Sequence, residues 1–93
     1  MVVAVRSWEL ALAGCHSLKD KRRIVKSLKD RLHHQFNVSA AEVDHQDAWQ
    51  RAALACGVVT TDRRHAEEVL GSCERLIAGE PLAYVVSSET SFA

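Results

Sequence analysis

The sequence has few of the features that mark secreted, membrane-spanning or metal-binding proteins. Its three cysteines, Cys15, Cys56 and Cys73, are an odd number at wide spacings, and they form neither a disulfide framework nor a CxxC site. No apolar run approaches the roughly 18 residues that a membrane-spanning helix needs. The N-terminus also lacks the charged start of a signal peptide. We therefore expect a cytoplasmic protein with buried thiols and with no membrane, metal or cofactor.

Net charge is absent as well, since 12 Lys and Arg residues balance 12 Asp and Glu residues. An apolar fraction of 47% and a charged fraction of 26% are ordinary for a folded chain and argue against disorder. The 93 residues are enough for one domain, which we expect to cover residues 1–93. A zero balance excludes a nucleic-acid binder only if the charges are evenly mixed, so their placement has to be examined.

Hydrophobic periodicity predicts six elements in the order β-α-β-β-α-β. Alternating apolar positions predict four strands, over Met1–Ala13, Val38–Asp44, Trp49–Thr60 and Leu82–Thr90. Helical spacing predicts one amphipathic helix from Leu18 to about Phe36, and a second that begins after Thr61 or Asp62 and ends at Gly79. Two helices cover only one face of a four-stranded antiparallel sheet, so the fold class is α+β, a ferredoxin-like sandwich.

Basic residues are concentrated in the first helix. Seven of the 12 lie between Lys19 and Arg31, opposed only by Asp20 and Asp30. Four of the seven crowd the first turns, where the helix dipole favours acids, and an anion docked at the start of the helix would relieve this conflict. The residues predicted to contact an anion or RNA phosphate are Ser17, Lys19, Lys21, Arg22, Arg23 and Lys26.

One alternative for this helix stays open. The helical angle of Lys21 places it within the apolar stripe rather than on the basic face. In the alternative interpretation, Lys21 extends to the rim of the core and the basic face is merely solvated.

A second polar segment, His45–Arg51, groups an imidazole, a carboxylate, two amides, an indole and a guanidinium. Such groups stack on bases and bond to base edges in proteins that bind single-stranded RNA. His45, Trp49 and Arg51 are therefore added to the predicted contact residues. The alternative is a hairpin in which Trp49 folds over neighbouring strands.

Catalytic motifs are missing. Acylphosphatases share this architecture and size, but they need a Gly-rich phosphate-binding loop with an arginine, whereas Ala13–Ser17 has one glycine and no arginine. Cys15 and His16 are adjacent in the sequence and have no evident third partner, and neither His33 nor His34 is followed four residues later by a metal ligand. We expect no enzymatic activity.

The uncovered face of the predicted sheet offers a different surface. If the helices cover the even positions of the first strand, Val3 and Val5 lie on the other face with Ala53 and Ala55 of the third strand. This patch is apolar and lacks the aromatic string of an RNA-recognition motif, so it suits a homodimer interface better than base stacking. The acidic stretch 42–47 offers a surface for the basic helix of a second copy.

Three stretches resemble a known family: SLKDKRR at 17–23, FNVSAAE at 36–42 and HQDAWQRA at 45–52. Together they are similar to the YlxP-like proteins, a bacterial family of small domains of unknown function, over nearly the whole chain. The resemblance implies a ferredoxin-like fold and a link to RNA or ribosome maturation, and it supplies no catalytic residues. Arg6 stands where an apolar residue is more usual in the family.

These observations predict a non-enzymatic, RNA- or ribosome-associated domain that binds through a basic helix face. The competing hypothesis is a homodimeric protein-interaction module that does not bind nucleic acid.

Overall fold

The computed structural model describes residues 1–93 and contains two helices and one four-stranded antiparallel sheet. The elements in chain order are β1 (Val2–Ala11), α1 (Leu18–Gln35), β2 (Ser39–Asp44), β3 (Arg51–Thr60), α2 (Arg63–Ala78) and β4 (Tyr84–Phe92). The strand order is β2-β3-β1-β4, so β1 and β3 are central while β2 and β4 form the edges. This arrangement confirms the predicted ferredoxin-like β-α-β-β-α-β fold.

Each predicted strand differs from the observed strand by one or two residues at one end or both. β3 begins at Arg51 rather than Trp49, because Trp49 lies in the bend before the strand. β4 begins at Tyr84 rather than Leu82, because the Leu82 amide donates to Glu80 Oε1 at 3.2 Å within a turn. The same strand continues to Phe92, where it still pairs with β1.

The core lies between the helices and one face of the sheet. In β1, Ala4, Trp8 and Leu10 are at most 1% exposed, so the helices cover the even positions of this strand. Leu28 and Leu32 of α1 are fully buried in the same cluster, and each contributes about 1.5–3 kcal/mol by leaving water. The other face of the sheet, which we call the open face, carries the odd positions of β1.

Arg6 interrupts the buried face of β1 without entering the core. Its Nε donates to Thr90 Oγ1 at 2.8 Å, and its Nη1 lies 3.7 Å from Glu74 Oε1. The same Glu74 oxygen accepts from the indole nitrogen of Trp8 at 2.9 Å. A charged side chain is tolerated at this position because β4 and α2 supply polar partners at the edge of the apolar layer.

The two helices begin at side-chain caps that satisfy free backbone amides. Ser17 Oγ accepts from the Asp20 amide at 3.1 Å at the start of α1, and Asp62 Oδ1 accepts from the Arg64 amide at 3.0 Å at the start of α2. Ser17 is thus the N-cap of α1, and of the two candidates for the start of α2 the structure has Asp62.

A buried lysine fixes α1 against β2. Lys21 lies in the same stripe of α1 as Val25, and only 1% of its surface is exposed. Its Nζ lies 2.8 Å from Glu42 Oε2 on β2 and also donates to the backbone carbonyl of His45. The alternative in which Lys21 extends to the rim is therefore wrong, because a carboxylate from the neighbouring strand meets the amine inside the protein.

Replacement of Lys21 tests how much the fold depends on this pair. Lys21→Met is expected to lower the free energy of unfolding by about 3 kcal/mol, because it leaves the Glu42 carboxylate without its partner. Lys21→Met/Glu42→Leu should recover most of that loss, because no charge then remains buried. Urea unfolding followed by circular dichroism measures both.

The control for this experiment is Lys26→Met. The Lys26 and Asp30 side chains are 76% and 62% exposed, so this change should cost less than about 0.5 kcal/mol. If Lys21→Met costs no more than Lys26→Met, the buried pair does not hold α1 in place.

Candidate functional site

The exposed face of α1 carries a row of cations, Lys19, Arg22, Arg23 and Lys26, which we call the basic row. Spacings of three, four and seven residues bring these side chains to one side of the helix, and all four are exposed. Of the four, only Lys26 has an acidic partner, Asp30 at 2.7 Å. The chain's other ion pairs use none of them, so three cations are free to meet an external anion.

The start of α1 is already supplied with an anion by the chain. The Asp20 carboxylate accepts from the His16 amide at 3.2 Å, while Ser17 Oγ is engaged with the Asp20 amide. An acid in the first turn offsets part of the unfavourable interaction between the cations and the helix dipole. The predicted external anion at Ser17 is therefore not required to explain this helix start.

Lys21 does not belong to the accessible surface, contrary to the sequence-based prediction. Its amine is held by Glu42 and by the His45 carbonyl. The same contact corrects the prediction that the acidic stretch 42–47 is a binding surface. The Glu42 side chain is only 19% exposed, and its charge is already matched by Lys21.

The loop between β2 and β3, residues 45–50, presents Trp49 to solvent with 52% of its surface exposed. His45 and Arg51, predicted to join it in binding, instead hold the loop in place. His45 Nε2 lies 3.0 Å from both carboxylate oxygens of Glu9, and Arg51 Nη2 lies 3.3 Å from one of them. Glu9 was not predicted as part of this site, because its position on β1 is distant in sequence.

This loop lies beside the start of α1. Gln50 Nε2 donates to the carbonyls of Ala13 and Cys15 at 3.4 and 3.2 Å, and the Leu12 amide donates to the Gln50 carbonyl at 2.9 Å. Together with the bond from Lys21 to His45, these contacts bring Trp49 and the first turns of α1 to the same end of the molecule.

A groove of about 420 Å³ runs between α1 and the edge strand β2. It contains two members of the basic row, Arg22 and Lys26, and the further cation Lys29. His33 also lines it, and its Nε2 accepts from the Ala40 amide of β2 at 3.1 Å. The sequence prediction omitted Lys29, although its spacing of seven from Arg22 and three from Lys26 was a usable signal.

The predicted dimer surface is only partly accessible. Val5 is 38% exposed on the open face, and Val3 is half-buried beside Val59, which is 67% exposed. Ala55 is half-buried, and Ala53 is only 5% exposed, so it offers little contact area. Ala53 is covered because its neighbours on β1 and β2 carry longer side chains, Glu9 and Asp44.

The open face turns acidic towards the other end of its strands. A shallow recess of about 490 Å³ is lined there by polar residues that include Glu9, Asp44 and Glu89. The apolar part of the open face and this acidic part are therefore two distinct surfaces.

All three thiols are at most 1% exposed. Burial raises the pKa of Cys15, and a hydrogen bond with Cys73 together with burial raises the pKa of Cys56. Both groups are therefore neutral thiols, which are poor nucleophiles. The chain contains no group of three or more His, Cys, Asp or Glu side chains placed to hold a metal ion. Neither helix is long and apolar enough to cross a membrane.

Comparison with known proteins gives a family match over most of the chain. The family model described as "Protein of unknown function (DUF503)" matches residues 3–90. A Bacillus subtilis (strain 168) protein named "Uncharacterized protein YlxP" is 39% identical over 62 residues, which are 67% of this chain and 67% of that protein.

Two solved structures align with this chain at low similarity. A C-terminal segment of the alpha subunit of aIF2 from Pyrococcus abyssi aligns with a TM-score of 0.47 and 15% identity over 99% of this chain. The chain spans about half of that segment, 48% of its length. Periplasmic domain P4 of SecDF aligns with a TM-score of 0.41 and 20% identity, covering 98% of this chain and 88% of that domain.

The pKa of the Asp30 carboxyl group reports on the ion pair between Lys26 and Asp30. The hydrogen bond from Lys26, with smaller effects from the charges of Lys26, His33 and Lys29, lowers the pKa of Asp30. Lys26→Met should therefore raise that pKa towards the ordinary carboxyl value, as measured by NMR titration of the Asp30 carboxyl carbon. Lys19→Met should leave it unchanged.

The sign of the effect follows from linkage. Because the folded-state pKa of Asp30 is depressed, its stabilising contribution is present above the unfolded-state pKa and is lost as pH falls through the folded-state value. A low Asp30 pKa that persists in Lys26→Met would show that another group holds the carboxylate.

Proposed function

This chain belongs to the family described as "Protein of unknown function (DUF503)", and we propose that it is an RNA- or ribosome-associated binding domain. The proposed contact surface is the basic row of α1 together with Trp49. In this proposal the protein acts in the cytoplasm as a single domain over residues 1–93 and catalyses no reaction. His45 and Arg51 position the Trp49 loop, and Lys21 positions α1.

The observation that supports this proposal best is the unpaired state of Lys19, Arg22 and Arg23. They are exposed and have no acidic partner, although the chain as a whole carries as many acids as bases. Three like charges in the first turns of a helix are unfavourable for the isolated helix. Phosphate groups of RNA would neutralise them and release counterions, which is the main source of affinity for nucleic acid.

Trp49 supports RNA in preference to a simple anion. Its indole is half-exposed at the end of the molecule where α1 begins. Stacking of an unpaired base on an aromatic side chain contributes about 1–3 kcal/mol and needs no particular base. A strand bound to the basic row therefore has a stacking partner at one end.

Homodimerisation through the open face is the second candidate. The exposed Val5 and Val59 support it, because they lie on adjacent central strands beside Gly57, which adds no side chain. Such a flat apolar patch at the centre of a sheet is typical of an interface between identical subunits. This surface lies on the opposite side of the sheet from the helices, so the dimer and RNA binding are compatible.

RNA binding is tested by its salt dependence. Fluorescence anisotropy with a labelled RNA hairpin that carries a single-stranded tail should show binding at about 50 mM salt. If the four cations of the basic row meet phosphates, the logarithm of the association constant should fall against the logarithm of salt concentration with a slope of about −3. Arg22→Glu/Arg23→Glu should abolish the binding.

The matched control is Arg63→Glu/Arg64→Glu, which makes the same charge change at exposed neighbouring positions of α2. It should retain most of the affinity. Equal losses of RNA affinity in the two double variants would show that the loss comes from the change in net charge and not from the basic row. An absence of salt-sensitive binding in the native protein would refute the proposed function.

The dimer is tested by sedimentation velocity at micromolar concentration. The native protein should sediment as a dimer, and Val5→Asp or Val59→Asp should convert it to a monomer, because the interface would then bury an unpaired carboxylate. Leu82→Asp is the control, since Leu82 is 54% exposed in the turn before β4. A native protein that is monomeric across this range rules out the dimer.

A further inference from the structure

We infer that the RNA bound by this protein is single-stranded and lies in the groove between α1 and β2 rather than across the crest of α1. The inference rests on the proposed function and deepens it, since it names the class of RNA and its path. Arg22, Lys26 and Lys29 would contact the phosphates, and the outer edge of β2 would face the bases.

The shape of this surface favours a single strand. The groove has a volume of about 420 Å³, within the range of pockets that hold small molecules. Lys29 is only partly exposed, and Ala40, on the β2 side of the groove, is half-buried. A recess of this size admits the phosphate and base of a single strand, whereas a rigid base-paired helix would contact only the protruding side chains of α1.

The charges inside the groove favour an anion once the existing pairs are counted. Its two acids, Asp30 and Glu42, are already matched by Lys26 at 2.7 Å and by Lys21 at 2.8 Å. Arg22 and Lys29 have no acidic partner, so the groove carries uncompensated positive charge. Two cations seven residues apart lie on the same side of the helix, about 10 Å from each other along its axis.

The β2 side of the groove supplies hydrogen-bonding groups that the cations lack. β2 is an edge strand, and one side of an edge strand has backbone groups without a strand partner. The Ala40 amide already donates to His33 Nε2, so the groups open to a base are the other outward-facing backbone groups of this edge. Unstacked bases present donors and acceptors that can pair with such groups, whereas bases inside a duplex have theirs occupied.

Arg22 and Arg23 separate the groove from the crest of the helix. They are adjacent in sequence and both exposed, yet Arg22 lines the groove whereas Arg23 lines a different recess, with Asp20 and Leu82. A duplex lying across the crest would contact both arginines. A strand in the groove would contact Arg22 directly, and Arg23 would add only a longer-range attraction.

The experiment compares 12-nucleotide oligouridine with a 12-base-pair RNA duplex in the anisotropy assay, using the full chain. Oligouridine should bind the native protein more tightly. Arg22→Gln and Lys29→Gln should each weaken that binding by about fivefold to tenfold and make the salt slope shallower by about 0.7. Arg64→Gln, the matched control at an exposed position of α2, should weaken it less than twofold, and Arg23→Gln should weaken it less than Arg22→Gln does. Circular dichroism verifies that each variant is folded.

NMR gives a second readout that does not depend on affinity. Oligouridine should shift the Ala40 amide signal of the native protein, because that amide lies on the β2 side of the groove, and should leave the Leu82 amide unchanged. Shifts confined to residues of the Arg23 recess would overturn the groove path.

The outcomes separate this inference from the proposed function. Equal losses in Arg22→Gln and Arg23→Gln, or tighter binding of the duplex, would overturn the groove path while RNA binding by the basic row stands. Failure of the native protein to bind either RNA would overturn both proposals. Capture of an octaglutamate peptide with no RNA binding would also overturn both and identify the groove as a site for acidic peptides.

Discussion

The packing of α1 combines an apolar stripe with one buried ion pair. The amine of Lys21 reaches Glu42 on β2 and the carbonyl of His45, so a single side chain joins the helix, the edge strand and the loop that carries Trp49. Removing two charges from water is costly, and such a pair is weak evidence of net stabilisation. Its geometric consequence is that, with Lys21 turned inward, Arg22 and Arg23 are directed outward.

The zero net charge conceals a separation of charge between the two sides of the sheet. The helix side carries the basic row, while the open face carries an acidic recess around Glu9. Glu9 also holds His45 and Arg51 in place. An acid of the open face therefore positions the loop that carries Trp49, which lies beside the basic row. The family resemblance concerns the same segments, since the stretches 17–23 and 45–52 contain the start of α1 and this loop.

Periodicity was enough to predict the fold because each element has one clear apolar face. Alternation predicted β1 and its two faces, of which the even one, with Ala4, Trp8 and Leu10, is buried, and the helical angle correctly placed Lys21 in the buried stripe. Partners distant in sequence could not be predicted in this way. Nothing in the sequence links Lys21 to Glu42, or Glu9 to His45, because the sheet register creates both neighbourhoods.

The candidate site was predicted by position but only partly by role. Lys19, Arg22, Arg23 and Lys26 are exposed, as expected from the helical projection. Lys21, His45 and Arg51 proved to have structural partners, and Lys29 was overlooked because the dipole argument directed attention to the first turns. A charge pattern locates a surface, but tertiary contacts decide which of its charges remain free.

The backbone of His45 constrains which residues can occupy that position. It adopts a φ of +63°, a left-handed conformation that glycine and asparagine accept easily and β-branched residues do not. Glycine would satisfy the backbone but lose the link to Glu9, whereas valine or isoleucine would strain the turn. One residue thus sets both the shape of the turn and the anchoring of the Trp49 loop. A substitution at this position has to satisfy both the backbone conformation and the contact with Glu9.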